Sequence, residues 1–331
     1  MPEVLLNRNQ TNEIKGLAII LVIISHMAYI MNIPPKIELL IHPFGYLGVS
    51  LFLMASGYGC TMSSIEKDNY RIGFWKRRLG KILPMLSTLT VTFVIISALL
   101  YEKQYSITEV VLDSVGLTSY IGKFTWYIGY QYFWYAAFYI IGCSKDSRRC
   151  CLIQYFGCSL IVYIVSAIVV TSSIQFNLWG LNCFSFPIGV AIAMYSAEIK
   201  KVVQREKCIS WLAVGSFVFF FVLCYVILGN PKNLLIQNIL KSLIALNFCV
   251  FILTLTYTHR DKISKWGGVQ KIGEISFELY LIHGYWIFVL PNFFYPRSLT
   301  KVAFYVLITL VSASIVHMIF KKNRNIDNYK L

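Results

Sequence analysis

The run GLAIILVIISHMAYIMNIPP, residues 16–35, decides the fold class. It lies between Lys15 and Lys36 and holds no charged side chain. At about 1.5 Å per residue, a helix of this length crosses a hydrocarbon core about 30 Å thick. Working outward, similar runs recur at 44–65, 82–101, 124–144, 151–172, 178–197, 208–229, 233–257, 273–295 and 301–320. Pro187 and Gly189 are expected to break the sixth run, 178–197. The first run lacks a small-residue cleavage site, and Lys15, His26 and Tyr29 punctuate it, so it reads as a retained helix and not a signal peptide. Composition agrees with this pattern. Of 331 residues, 57% are hydrophobic and only 14% charged, with a mean hydropathy of +0.63; soluble domains carry about 25% charged residues. The reading is an all-α integral membrane protein, a bundle of about ten transmembrane helices forming one domain over residues 1–331.

Charge orients the bundle. With a cytoplasmic N-terminus and ten alternating spans, seven of the 30 Lys and Arg residues fall outside: Lys36, Lys103, Lys123, Lys232, Lys241, Arg297 and Lys301. The other 23 fall on the cytoplasmic side, as the positive-inside rule requires. Both termini are therefore expected in the cytoplasm, with the chain multi-pass in the cell (plasma or inner) membrane. The net charge of +15 is a topology signal and calls for no nucleic-acid partner. The nine cysteines show no CxxC spacing, and no metal site is expected.

Ionisable groups inside spans are costly and mark function by default. Lys15 and His26 are eleven residues apart, within about 20° of three full helical turns, so they share a face. One face thus carries a cation at the cytoplasmic mouth and an imidazole roughly 16 Å deeper. In the ninth run, GEISFELYLIH (273–283), Ser276, Tyr280 and His283 share a face, and His283 lies roughly 18 Å along the axis from Lys271. Glu278 in the same run needs a partner or a wet cavity. Arg77, Arg78 and Lys81, ahead of Pro84, are basic enough to bind phosphates. Each feature also has a structural reading: a snorkelling lysine, a packed histidine, an interhelical hydrogen bond, a topological anchor.

Taken in order, these motifs resemble the acyltransferase 3 family of integral-membrane acyltransferases. NEIKGLA (12–18) followed by His26 is similar to its basic residue, ten residues, histidine opening. GYLGVSLFLMASGY (45–58), with Ser56 and Tyr58, resembles its glycine-valine and serine-glycine-aromatic signature. Arg78, Lys81 and Pro84 resemble its basic-x-x-basic segment, and Thr125-Trp126-Tyr127 with Tyr135 its fourth-helix tryptophan motif. Residues 275–283 resemble its serine-tyrosine-x-x-tyrosine-leucine-x-histidine helix. Lys15 stands where arginine is commoner, Asn12 where aspartate is usual, and Phe277 in place of a frequent tyrosine. No SGNH hydrolase-like domain follows the last run.

The resemblance implies acyl transfer, usually of acetyl, from cytoplasmic acetyl-CoA to a carbohydrate hydroxyl. Acetyl-CoA is then a co-substrate and no tightly bound cofactor is expected. The implied partners are acetyl-CoA, a carbohydrate acceptor and the lipid bilayer. His26, Lys15 and His283 take the catalytic positions; His26 would be general base or transient acyl carrier. Arg77, Arg78 and Lys81 would bind the donor. Ser56, Tyr58, Trp126, Tyr135, Ser276, Glu278 and Tyr280 belong to the supporting motifs. A stand-alone chain of this length points to a surface polysaccharide such as capsule, exopolysaccharide or O-antigen. Two other classes fit the intramembrane polar residues: a secondary transporter using His26, His283 and Glu278, which needs an internal repeat that the sequence does not display, and a structural or glycolipid-binding membrane protein.

Overall fold

Hydrocarbon offers no hydrogen-bond partner, so a chain that crosses it must satisfy its backbone within helices or a closed barrel. Every regular element among the described residues is helical. The structure, a computed structural model, describes residues 5–31, 34–67, 69–143, 147–169, 174–205, 211, 214–218, 221–222, 234–258, 267–294 and 298–328. In chain order the α-helices are α1 Arg8–His26, α2 Pro35–Ile41, α3 Pro43–Glu66, α4 Phe74–Tyr101, α5 Ile107–Ser114, α6 Trp126–Ile141, α7 Arg148–Val169, α8 Ile174–Leu181, α9 Ser185–Met194, α10 Ser196–Arg205, α11 Leu234–Thr258, α12 Gly267–Glu274, α13 Ser276–Gly284 and α14 Leu299–Asn328. Among the described residues, seven segments are long and apolar enough to cross a membrane: Arg8–Tyr29, Lys36–Glu66, Phe74–Tyr101, Arg148–Val169, Asn177–Met194, Asn238–Thr258 and Leu299–Lys321.

Three of the ten expected runs differ from that list for identifiable reasons. In 124–144, α6 is 16 residues long, because Phe124 and Thr125 are spent on a turn. The run 208–229 lies largely outside the described residues. The run 273–295 is not one helix. It is interrupted at Ile275, continues as α13, widens into a π-helical turn at Tyr285–Val289 and ends in a 3-10 turn before the C-terminal helix. The sixth run does break, but at 182–184 and not at the expected residues. Pro187 occupies the first turn of α9, where an amide has no intrahelical acceptor to lose.

The chain divides into two compact units. The first comprises Met1–Ala18, Tyr46–Ile72 and Phe133–Gly273. Glycine sets its packing. A Cβ on Gly273 would sit 1.7 Å from the Asn12 carbonyl oxygen, and one on Gly16 2.1 Å from that of Val269, so α1 and α12 meet backbone to backbone. Gly57 and Gly189 do the same for α3 and α9, with a Cβ at 2.3 Å from Phe186 O and 2.1 Å from Met54 O. Small residues at such crossings allow the close van der Waals contact that joins helices in lipid. Polar pins are added by Ser50 donating to Asn182 Oδ1 at 2.6 Å and Ser159 donating to Cys183 O at 2.8 Å.

The second unit comprises Ile19–Gly45, Gly73–Tyr132 and Glu274–Leu331. Rings and polar side chains set its packing. Tyr285 stacks on Phe93 with centroids 4.9 Å apart, and its hydroxyl pairs with Thr90 Oγ1. Asp113, buried at the end of α5, accepts from Thr118 Oγ1 at 2.5 Å and from the amides of Tyr120, Ile121 and Gly122 at 2.7–3.1 Å. One carboxylate thereby fixes the whole turn that delivers Phe124 and opens α6.

Candidate active site

The second unit brings together the C-terminal end of α1 and the middle of the broken 273–295 segment. His26 Nδ1 lies 3.0 Å from His283 Nε2. The rings are 18° from parallel with centroids 5.2 Å apart, the geometry of two imidazoles bonded edge to edge and not stacked face to face. His283 Nδ1 lies 3.0 Å from the Leu279 carbonyl oxygen, which only accepts. The proton on His283 is therefore on Nδ1, and its Nε2 is an acceptor. His26 must then donate from Nδ1, so both Nε2 atoms are unprotonated, and of the two only His26 Nε2 keeps a lone pair that the hydrogen bond does not use. His283 is fully buried, whereas His26 keeps partial access. The two histidines thus have unequal parts: one is reachable, the other holds it.

Aromatic side chains position the pair. Phe124 lies against His283 at 6.0 Å between centroids, against Tyr280 at 6.0 Å and against Phe288 at 6.1 Å. The Tyr280 hydroxyl donates to the Phe124 carbonyl, and the Phe124 ring occupies the space that a Cβ on residue 284 would need. Tyr29 and Phe288 close the other side of His26, at 6.0 and 5.6 Å. The π-helical turn just after His283 is what presents Tyr285, Phe288 and their neighbours on new faces; such turns are frequent at functional sites.

The basic cluster sits in the first two turns of α4. No acidic residue offsets the helix dipole there, so backbone amides and cations point the same way and the end suits an anion. Arg78 lies over Phe74 at 5.8 Å, and Lys81 over the Phe277 ring at 5.9 Å. That last contact ties α4 to α13 within the unit. Phe277, the departure from the family's usual tyrosine, is thus a cation–π platform.

The remaining motif residues separate clearly. Ser276 is the buried first residue of α13. Trp126 begins α6 and meets Tyr127 at 6.4 Å, which meets Tyr280 at 5.2 Å. Glu278 is fully buried but turned away from the histidine pair: its Oε1 accepts from His317 Nδ1 at 2.9 Å, and among the described residues its Oε2 has no hydrogen-bonding partner. His317, on α14, is the partner that Glu278 required, and the sequence reading missed it. Its position within the last apolar run was the available signal. Lys15, Ser56, Tyr58 and Tyr135 belong to the first unit. There Ser56 donates to Tyr135 Oη at 3.3 Å, and Tyr58 Oη accepts from Leu6 N at 2.9 Å and donates to Leu6 O at 3.2 Å. These contacts tie helices and the N-terminal segment together and bring no reactive group with them.

A family model described as an acyltransferase domain, acyltransferase 3, matches residues 12–318. No curated protein and no solved structure matches the chain.

Proposed function

The chain belongs to the acyltransferase 3 family, and from that premise we propose that it is an O-acetyltransferase, moving acetyl from acetyl-CoA to a hydroxyl of a cell-surface polysaccharide or its lipid-linked precursor. Membership makes the chain an acyltransferase of the multi-pass membrane type. The observation that supports the chemical reading best is the relay from Leu279 O through His283 to His26.

In this mechanism His26 Nε2 accepts the proton of the acceptor hydroxyl as its oxygen attacks the thioester carbonyl. The tetrahedral intermediate collapses, the carbon–sulfur bond breaks, and His26 Nε2–H returns the proton to the departing thiolate. The products are an acetyl ester and CoA, with no net proton change. His283 keeps His26 in the right tautomer, its Nε2 accepting from His26 Nδ1–H in a bond that strengthens as His26 turns cationic; the Leu279 carbonyl supports it in turn. This is the orienting task that a carboxylate performs in hydrolytic triads, here given to a neutral imidazole backed by a carbonyl. Arg77, Arg78 and Lys81 engage the CoA phosphates from the cytoplasmic side, and Lys15 takes the family's basic position on α1. Both termini face the cytoplasm in this arrangement.

The test is turnover by purified protein. Acetyl-CoA should yield free CoA thiol only in step with ester formed on an added surface polysaccharide. Thiol release uncoupled from ester, or neither with a panel of acceptors, would overturn the assignment.

A further inference from the structure

One cavity in the second unit is not used by this mechanism. Its volume is about 290 Å³, at the lower end of the range for small-ligand pockets. Its walls include Tyr29, Phe288, Phe294 and Pro291, and its one charged lining residue is Lys123. Tyr29 and Phe288 are the same rings that flank His26, at 6.0 and 5.6 Å, and they meet each other at 5.3 Å. The cavity therefore begins one ring away from the reactive imidazole. Tyr29 is 53% exposed, so the cavity has an open side.

Lys123 differs from Lys103 and Lys301, two other lysines assigned to the outer side. Lys103 Nζ donates to Val289 O at 3.4 Å and Lys301 Nζ to Phe293 O at 3.1 Å. Both ammonium groups are spent on backbone carbonyls. Among the described residues, no hydrogen bond or ion pair engages Lys123, although it lines a concave, aromatic-walled space. A snorkelling anchor needs only to reach the headgroups; it has no reason to border a cavity whose other walls touch a base.

We infer that this cavity holds the acceptor sugar and that the sugar bears an anionic group, carboxylate or phosphate, met by Lys123. This rests on His26 being the base of the reading above. Aromatic faces suit the C–H face of a pyranose ring, and the volume has room for one such group. A lysine ammonium is a point charge without the fork geometry of arginine, so it selects for charge and not for the shape of the anion. The charge count assigns Tyr29, Lys123, Pro291 and Phe294 to the outer side, so donor and acceptor approach His26 from opposite ends of the bundle.

Binding tests this without turnover. Saturation-transfer NMR on the purified full chain in nanodiscs would compare methyl glucoside, methyl glucuronoside and methyl glucoside 6-phosphate. Both anionic glycosides should bind about tenfold tighter than the neutral one. Lys123→Gln should erase that preference, Lys123→Arg should keep it, and Tyr29→Ala should weaken all three alike. Equal binding of the three, no binding of any, or a preference that survives Lys123→Gln would overturn the inference. Acetyl transfer to the same glycosides separates the two readings. Transfer without charge preference removes the Lys123 site and leaves the enzyme; charge-selective binding without transfer leaves the site and removes the enzyme reading.

Discussion

The two units of the chain are built from the same apolar alphabet but joined in different ways. In the first, helices touch at glycines, backbone against backbone, with Gly16 and Gly273 at one crossing and Gly57 and Gly189 at another. In the second, helices are held apart by rings and imidazoles, and the space left over is a cavity beside His26. Contact between backbones leaves no room for a substrate, whereas contact between side chains does. The difference divides the family motifs into two kinds. Ser56, Tyr58 and Tyr135 hold helices and the N-terminal segment together in the first unit, while His26, His283 and Tyr280 gather in the second, with Phe124 against His283 and Tyr280.

Substitutions on either side of that division should fail in different ways. The largest effect is expected from His26→Gln, which keeps polarity but removes the base: acetyl transfer should fall about 10²–10⁴-fold. Ester formation and thermal stability are to be measured on one preparation, and stability should not move. Parallel loss of both would make His26 a packing residue and erase the contrast. Gly273→Ala is the mirror case. Its new Cβ meets Asn12 O at 1.7 Å, so stability should drop by about 1–3 kcal/mol, with activity falling only as folded protein is lost. A thermal melt in detergent unchanged from the parent protein would mean that this crossing is looser than described.

His283→Gln should come next, lowering kcat about 10–100-fold, the scale seen when a residue that orients a functional ligand is lost. Because it acts through His26, the pH–rate profile should shift while KM for acetyl-CoA stays constant; an unshifted profile would reduce it to packing. Arg78→Ala and Lys81→Ala should do the reverse, raising KM for acetyl-CoA with kcat nearly unchanged, since charge-assisted phosphate contacts are lost. Unchanged donor kinetics in both would return the cluster to a topological anchor.

The smallest effect belongs to the first unit. Glu198 on α10 hydrogen-bonds its own backbone amide and pairs with Arg148 at 3.0 Å, and both hold its carboxyl below the ordinary carboxylate range. A lowered folded-state value means stability present above the ordinary carboxylate range and lost as pH falls through that lowered value. The pair is part-exposed, so Glu198→Gln should cost less than about 1 kcal/mol at neutral pH and flatten the acid limb of the melting curve. A cost above that would give this ion pair a structural weight that its exposure does not support.

Long apolar helices were legible because hydropathy alone defines them: Phe74–Tyr101, Arg148–Val169 and Leu299–Lys321 all fall on expected runs. What hydropathy does not encode is hydrogen-bond register. Residues 273–295 read as one span, yet the chain breaks at Ile275 and widens at Tyr285–Val289 while staying apolar throughout. At the site, spacing placed His26 and His283 at similar depth, and the pair does meet at 3.0 Å. Which nitrogen of each carries the proton depends on Leu279 O, a backbone atom no motif records. Lys123 entered the sequence reading only as one charge in a topology count, because nothing in a one-dimensional sequence marks a lysine that lines a cavity.

The π-helical turn has one more implication. Leu290 N bonds to Tyr285 O, five residues back, so this turn holds one residue more than α-helical spacing allows. Seen as an alignment problem, the turn is an insertion that the helix absorbed without shifting anything before His283. Removing one residue of 285–289 would let the helix close into ordinary spacing: four α-helical steps of about 100° would replace five wider ones over nearly the same rotation, so the residues beyond would keep their direction. His283 would keep its bond to Leu279, and the change would fall on the turn itself, where Ile287 and Phe288 line the cavity. A single-codon deletion here would therefore change the pocket wall while leaving the base and its partner in place.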